Sequence, residues 1–170
     1  MIIDISNTIS TEDKTSEHEI CLEAKDINVN GTDCKVVSAP VFLLTLTNQA
    51  GVRLDMSADG EVVLSVPCDR CLEPVEITVS IMIDEQIAIE NGALTGEKPD
   101  FVSGNTMDTE AAIMDSIFSE FPAKILCSED CKGLCLKCGK NLNEGECGCD
   151  RFVQDPRMAA FNDLFNQFKD

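Results

Sequence analysis

The sequence predicts an α+β protein: a mostly antiparallel β-sheet or open barrel, one packed helix, a cysteine-rich module and a C-terminal helix. Three observations carry this. Residues 1 to about 92 read as β-rich runs joined by short turns, with a clear period of two over "PVEITVSIMIDEQIAI". "MDTEAAIMDSIFSEFP" then carries apolar residues at helical spacing. Six of the ten cysteines fall between 127 and 149.

The elements follow in order. "EHEICLEAKDI" alternates irregularly, and "VFLLTLTN" is β-rich and largely apolar. "GVRLDMSADGEVVLSV" reads as two short runs around "ADG", a tight hairpin turn. In the next run Val75, Ile77, Val79 and Ile81 share one side, and Ile83, Ile87 and Ile89 keep the same parity. Short connections between successive strands favour antiparallel pairing. Residues 90–106 hold three glycines and a proline and are expected to form a flexible loop. A helix is expected at about 108–121, led by acidic residues and stopped by Pro122. "DPRMAAFNDLFNQFK" opens with an Asp cap and Pro at the first helical position. Its apolar face of Ala160, Phe161, Leu164, Phe165 and Phe168 predicts a terminal helix. The chain thus divides into a β-rich domain, 1–123, and a cysteine-rich module with its helix, 124–170.

Composition narrows the function classes. The 170 residues suffice to bury a core, and 44% are hydrophobic. With 13 basic and 31 acidic residues the formal charge is −18, which repels nucleic acid and anionic membranes. "MIIDISNTIS" lacks the basic and apolar regions of a secretory signal, and no run approaches the ~20 apolar residues of a membrane span. A cytoplasmic location with no membrane partner is expected. Thiols stay reduced there, so ten cysteines favour metal ligation over disulfides.

The spacing from 127 to 149 is C-x3-C-x3-C-x2-C-x8-C-x-C, and "CDRC" adds Cys68 and Cys71 between two strands. Eight cysteines suffice for two tetrahedral zinc sites of four thiolates each. Short C-x2-C loops supply two ligands from one turn, and the glycine after Cys138 and Gly148 between Cys147 and Cys149 permit the bends. The most local scheme groups Cys135, Cys138, Cys147 and Cys149. Cys127 and Cys131 then reach back to Cys68 and Cys71, clamping the tail to the sheet. A single zinc using part of the tail is the other arrangement the spacing allows. Cys21 and Cys34 stand alone and receive no role. A thioredoxin-like reading of "CDRC" lacks the strand-to-helix context. The one histidine, His18, lies in acidic surface-like sequence, and no nucleophile–base pair, phosphate loop or dinucleotide motif is present. The reading is a non-enzyme with no identifiable small-molecule substrate.

Charge is uneven. From 124 to 157, six bases balance six acids, so the other 7 bases and 25 acids carry the whole −18. Arg70, Lys132, Lys137 and Lys140 near the cysteines are candidates for phosphate or partner contacts; they also offset the thiolates.

At "CDRCLEP", "CSEDCKGLCLKCGKNLNEGECGCD" and "DPRMAAF" the sequence resembles the bacterial YceD family of large ribosomal RNA subunit accumulation proteins, in its cysteine-rich C-terminal form. The resemblance implies a cytoplasmic role in accumulating 23S ribosomal RNA and assembling the large subunit, without supplying a biochemical activity. Some members lack most tail cysteines, which makes Cys68 and Cys71 the better candidates for a shared site. The expected function is a non-catalytic, zinc-stapled adaptor binding large-subunit ribosomal RNA or a basic large-subunit ribosomal protein. An acidic chain suits the latter through complementary fields. The alternative is a thiol or zinc redox sensor, or a metal-binding regulatory protein, with "CDRC" reacting.

Overall fold

The computed structural model describes residues 1–149; the expected terminal helix lies outside the described residues. In chain order the elements are β1 (Ile2–Asp4), α1 (Ser6–Ser10), β2 (Thr15–Ile20), β3 (Asp26–Val29), β4 (Thr32–Ser38), β5 (Phe42–Gln49), β6 (Arg53–Pro67), β7 (Pro74–Glu90), β8 (Ala93–Thr95), β9 (Val102–Ser103), β10 (Thr106–Asp108) and α2 (Thr109–Glu120).

One long hairpin organises the molecule. β6 and β7 pair antiparallel from Arg53↔Ala88 to Pro67↔Pro74. Along its other edge β6 pairs first with β5, through Arg53–Ser57, and then with β4, through Val63–Ser65. β2 extends the sheet beyond β5, β3 beyond β4, and β8 beyond the end of β7. A separate small sheet runs β1-β10-β9, all antiparallel.

Alternation decides which face is buried. Val79, Ile81, Ile83, Ile87 and Ile89 of β7 are buried, and every even-numbered residue between them is exposed. Leu54, Met56, Ala58, Val62, Leu64 and Val66 of β6 are buried likewise. The "ADG" stretch is therefore not a turn: Ala58, Asp59 and Gly60 run straight through β6. Gly60 is required for packing, because a Cβ there would overlap the Phe42 ring. Residues 90–106 also depart from the loop reading. They hold β8, β9 and the start of β10, three strands too short for alternation to register in sequence.

α2 begins at its Asp108 cap, whose Oδ1 accepts from Glu110 N at 3.1 Å and Ala111 N at 3.3 Å. It ends before Phe121, whose extended backbone suits the following Pro122. Ile113 and Ile117 join the sheet's core. Ser116 Oγ accepts from Met82 N–H at 2.8 Å and donates to Met82 C=O at 3.1 Å, so the helix satisfies backbone groups on the free edge of β7. Five-residue α1 gave no sequence signal; buried Asn48 holds it by donating to the Thr8 and Ile9 carbonyls, each at 2.9 Å.

Candidate metal centres

The turn between β6 and β7 is "CDRCLE", so the hairpin presents Cys68 and Cys71 at its tip. Cys68 N–H donates to Glu73 C=O at 2.8 Å, and Leu72 N–H to Cys68 C=O at 2.9 Å. The same pattern recurs in the tail. Cys135 N–H donates to Lys140 C=O at 2.9 Å, and Gly139 N–H to Cys135 C=O at 2.8 Å. In each turn the fifth residue has a left-handed backbone, φ +62° at Leu72 and +75° at Gly139. In each, the backbone N–H groups two and three residues on point at the first sulfur. Two knuckles of one design thus stand at the tip and in the tail.

The tail is laid against the tip by backbone pairing. Asp69 N–H donates to Ile125 C=O at 2.9 Å, and Ile125 N–H to Asp69 Oδ2 at 2.7 Å. Leu134 N–H donates to Arg70 C=O at 3.0 Å, and Arg70 Nη1 to Cys131 C=O at 2.7 Å. Gly133 passes so close that a Cβ would stand 2.9 Å from the Arg70 carbonyl oxygen. Its φ of +73° adds a second reason for glycine.

This docking gathers eight sulfurs into two groups. Cys68, Cys71, Cys127 and Cys131 form one; Cys135, Cys138, Cys147 and Cys149 form the other, each with sulfurs within 4.8 Å of one another. In the first, Cys68 and Cys131 sulfurs are 3.9 Å apart, and Cys71 and Cys127 sulfurs 3.5 Å. A disulfide needs about 2.05 Å. A tetrahedron with metal–sulfur bonds of about 2.3 Å needs about 3.8 Å between sulfurs. Each group could hold one metal ion.

Electrostatics fit the same purpose. Burial works against a Cys68 thiolate, but N–H donation from Arg70, Cys71 and Cys127 outweighs it and brings the pKa down to about 6. N–H groups of Cys138 and Lys137 bring Cys135 down to about 6. The side-chain amide of Asn143, 3.3 Å from its sulfur, lowers Cys131. Glu73 N–H favours the Cys71 thiolate, yet burial and the Cys127, Cys68 and Cys131 sulfurs push it up to about 12. Cys149 is likewise pushed up to about 12 by Cys138, Cys147 and burial. Each group thus holds a thiol that ionises readily, Cys68 in one and Cys135 in the other, beside one held neutral by its neighbours, Cys71 and Cys149, which a cation would favour as thiolates.

The remaining expected residues fall as follows. Arg70 is tied to the Cys131 carbonyl. Lys140 Nζ donates to Glu146 C=O at 3.2 Å, and Lys132 and Lys137 are exposed. His18 is half-buried on β2, its Nε2 3.3 Å from Ser16 Oγ, and belongs to neither group. Cys34 is buried in the core, where burial raises its pKa and keeps the thiol neutral. Sequence reading missed Asp69 and Asn143. Beyond its sulfur contact, Asn143 Oδ1 accepts Lys132 N–H at 2.8 Å.

Fold and site together define an antiparallel sheet protein with two four-cysteine groups, one shared between the hairpin tip and the tail and one within the tail. The family model described as large ribosomal RNA subunit accumulation protein YceD matches residues 54–165. The chain belongs to the YceD family; that description names an accumulation protein and no enzyme activity. An uncharacterised protein of Mycobacterium tuberculosis is 34% identical over 107 residues, 61% of this chain and 51% of that protein. One from Mycobacterium leprae is 34% identical over 101 residues, 57% and 46%. The large ribosomal RNA subunit accumulation protein YCED homolog 1, chloroplastic, of Arabidopsis thaliana is 35% identical over 63 residues, 37% and 20%. The aligned part is thus about half the length of the mycobacterial relatives. No solved structure matches the chain. None of the described helices is long and apolar enough to cross a membrane.

Proposed function

We propose that this chain is a non-catalytic binding factor in the accumulation of large-subunit ribosomal RNA, stapled by two zinc ions. One ion would be held by Cys68, Cys71, Cys127 and Cys131, the other by Cys135, Cys138, Cys147 and Cys149. Zinc suits four-thiolate tetrahedra with no open position, and such sites stabilise structure rather than catalyse. The observation that carries the reading is the sulfur geometry at the hairpin tip, 3.5 and 3.9 Å, in a chain of this family. The first site would join the tail to the sheet, and the second would fold the tail's own loop. The family description supports the ribosomal setting, with the RNA itself or a basic ribosomal protein as partner. Lys132 and Lys137 are exposed bases near the sites.

Two measurements test this. Metal analysis of protein purified under reducing conditions is expected to give close to two zinc ions per chain; a metal-free protein would refute the staple. Deleting the gene in its host is expected to lower large-subunit relative to small-subunit ribosomal RNA. Unchanged ratios would remove the ribosomal role and leave the metal sites standing.

A further inference from the structure

The partner's chemistry can be read from the sheet's outer face. β2, β5, β6 and β7 lie side by side, and their odd, odd, odd and even positions respectively turn away from the core. Ile9 of α1 and Ala112, Ile113 and Ile117 of α2 join the opposite, inner face. Exposed Glu17 and Glu19 stand on β2, Asp59 and Glu61 on β6, and Asp84 on β7. Register places each beside an uncharged neighbour: Glu17↔Thr45, Glu19↔Leu43, Ser57↔Asp84, Asp59↔Met82 and Glu61↔Ser80. Directly opposed like charges would destabilise the sheet, and this alternation avoids them while keeping the face acidic.

The cations are few. Arg53 is engaged by Asp55, with Nη2 to Oδ2 at 3.1 Å. Lys35 enters only opposite Ser65, toward the hairpin tip. Neighbouring strands lie about 5 Å apart and alternate residues about 7 Å. Within β2, and between β6 and β7, those spacings fall within the Debye length of about 10 Å at 0.1 M salt, so neighbouring carboxylates reinforce one another. Two large apolar side chains stand among them, Leu43 at 51% and Met82 at 69% exposure. Each is paired with a carboxylate, Leu43 with Glu19 and Met82 with Asp59, so apolar and acidic groups interleave across the face, and methionine adapts its shape to what it meets.

We infer that this face docks a Lys/Arg-rich, amphipathic segment of a protein, whose apolar side chains cover Leu43 and Met82 while its cations meet the carboxylates. The choice rests on charge complementarity: the same field repels a phosphate backbone and a second copy of this chain. The inference deepens the proposed function by choosing a basic protein over RNA as partner, and it takes its biological setting from that reading.

The test uses the full zinc-loaded chain and a fluorescent peptide alternating Lys and Leu, followed by anisotropy at about 0.15 M salt. Binding is expected. Leu43→Ser with Met82→Ser should weaken it at least about tenfold, as loss of both apolar anchors requires. Asp59→Asn, Glu61→Gln and Asp84→Asn together should weaken it at least as much. The same loss of charge elsewhere, Glu23→Gln, Glu97→Gln and Glu129→Gln, should leave affinity within about twofold. These side chains are exposed, and circular dichroism checks that each variant folds. Four results would overturn the inference: no binding, equal weakening by the control triple, oligouridine binding sensitive to the same face substitutions, or a dimer in sedimentation that Leu43→Ser with Met82→Ser dissolves. Metal content and ribosomal RNA ratios are separate readouts, so failure here leaves the zinc-stapled reading intact, and failure there leaves the docking face intact.

Discussion

Leu72 and Gly139 occupy the same place in two copies of one turn, and only the second is the residue that a left-handed backbone favours. Leu72 is 64% exposed, so its side chain contributes little to the core. Leu72→Gly is expected to hold or raise stability by up to about 1 kcal/mol, measured by urea unfolding of the zinc-loaded protein. A loss above that would mean the side chain packs in a way its exposure does not suggest. Asn143 sits at the opposite extreme, since it donates to the Cys131 sulfur while accepting from the Lys132 backbone. Asn143→Ala should weaken metal retention at the first group about 10- to 100-fold in competition with a chelator, and leave the second group unchanged. Arg70 carries a lesson for partner mapping. Because its guanidinium holds the Cys131 carbonyl, Arg70→Ala disturbs the tip itself, whereas Lys132→Ala with Lys137→Ala removes charge alone.

At the scale of elements, the β6–β7 hairpin is the lever that sets the first cysteine pair in place. Its packing in mid-strand depends on Gly60, over which the Phe42 ring lies. Gly60→Ala should cost about 1–3 kcal/mol by overpacking, and Phe42→Leu should recover part of that loss in the double variant. Additive costs in denaturant melts would show that the two residues do not meet. The tail is a second element with its own logic. Cys135→Ser should loosen residues 135–149 only, because its group is local. Cys68→Ser should expose 125–134 and the hairpin tip as well, because its group joins sheet to tail. Hydrogen exchange separates these outcomes, and identical losses in both variants would refute the two-group arrangement.

For the molecule as a whole, the sheet and the cysteine groups draw stability from different sources. The main core runs through residues such as Ile81, Leu64 and Ile113, and a small separate cluster holds Cys68, Cys71 and Cys131. Removing metal with a chelator under reducing conditions should therefore keep the far-ultraviolet β signal while protection across 125–149 is lost. Collapse of the entire sheet on chelation would show that metal holds the whole fold and not its tip alone. The sheet also separates chemical groups in space, with thiols and lysines at the hairpin end and carboxylates spread over the outer face.

The sequence by itself determined the strand parity of β7, the helix at α2 and the presence of cysteine knuckles. Each rests on local periodicity or spacing: seven apolar residues in step from Val75 to Ile89, an apolar stripe ended by Pro122, and cysteine pairs with two residues between them. Across Leu54 to Val66 the turn signal of "ADG" misleads the sequence reading, and only the Phe42 ring above Gly60 explains a glycine inside a continuous strand. Tertiary structure alone decided the rest. Sulfurs of Cys71 and Cys127, 56 positions apart in the chain, meet because β6 and β7 project their turn to where α2 returns the chain. Asn143 acquires a role only when Gly133 lets the tail pass against Arg70. The acidic face exists because strand register, which no single strand encodes, sets each carboxylate beside an uncharged neighbour. Such long-range placements depend on how whole strands pack, and residue spacing within one segment does not contain them.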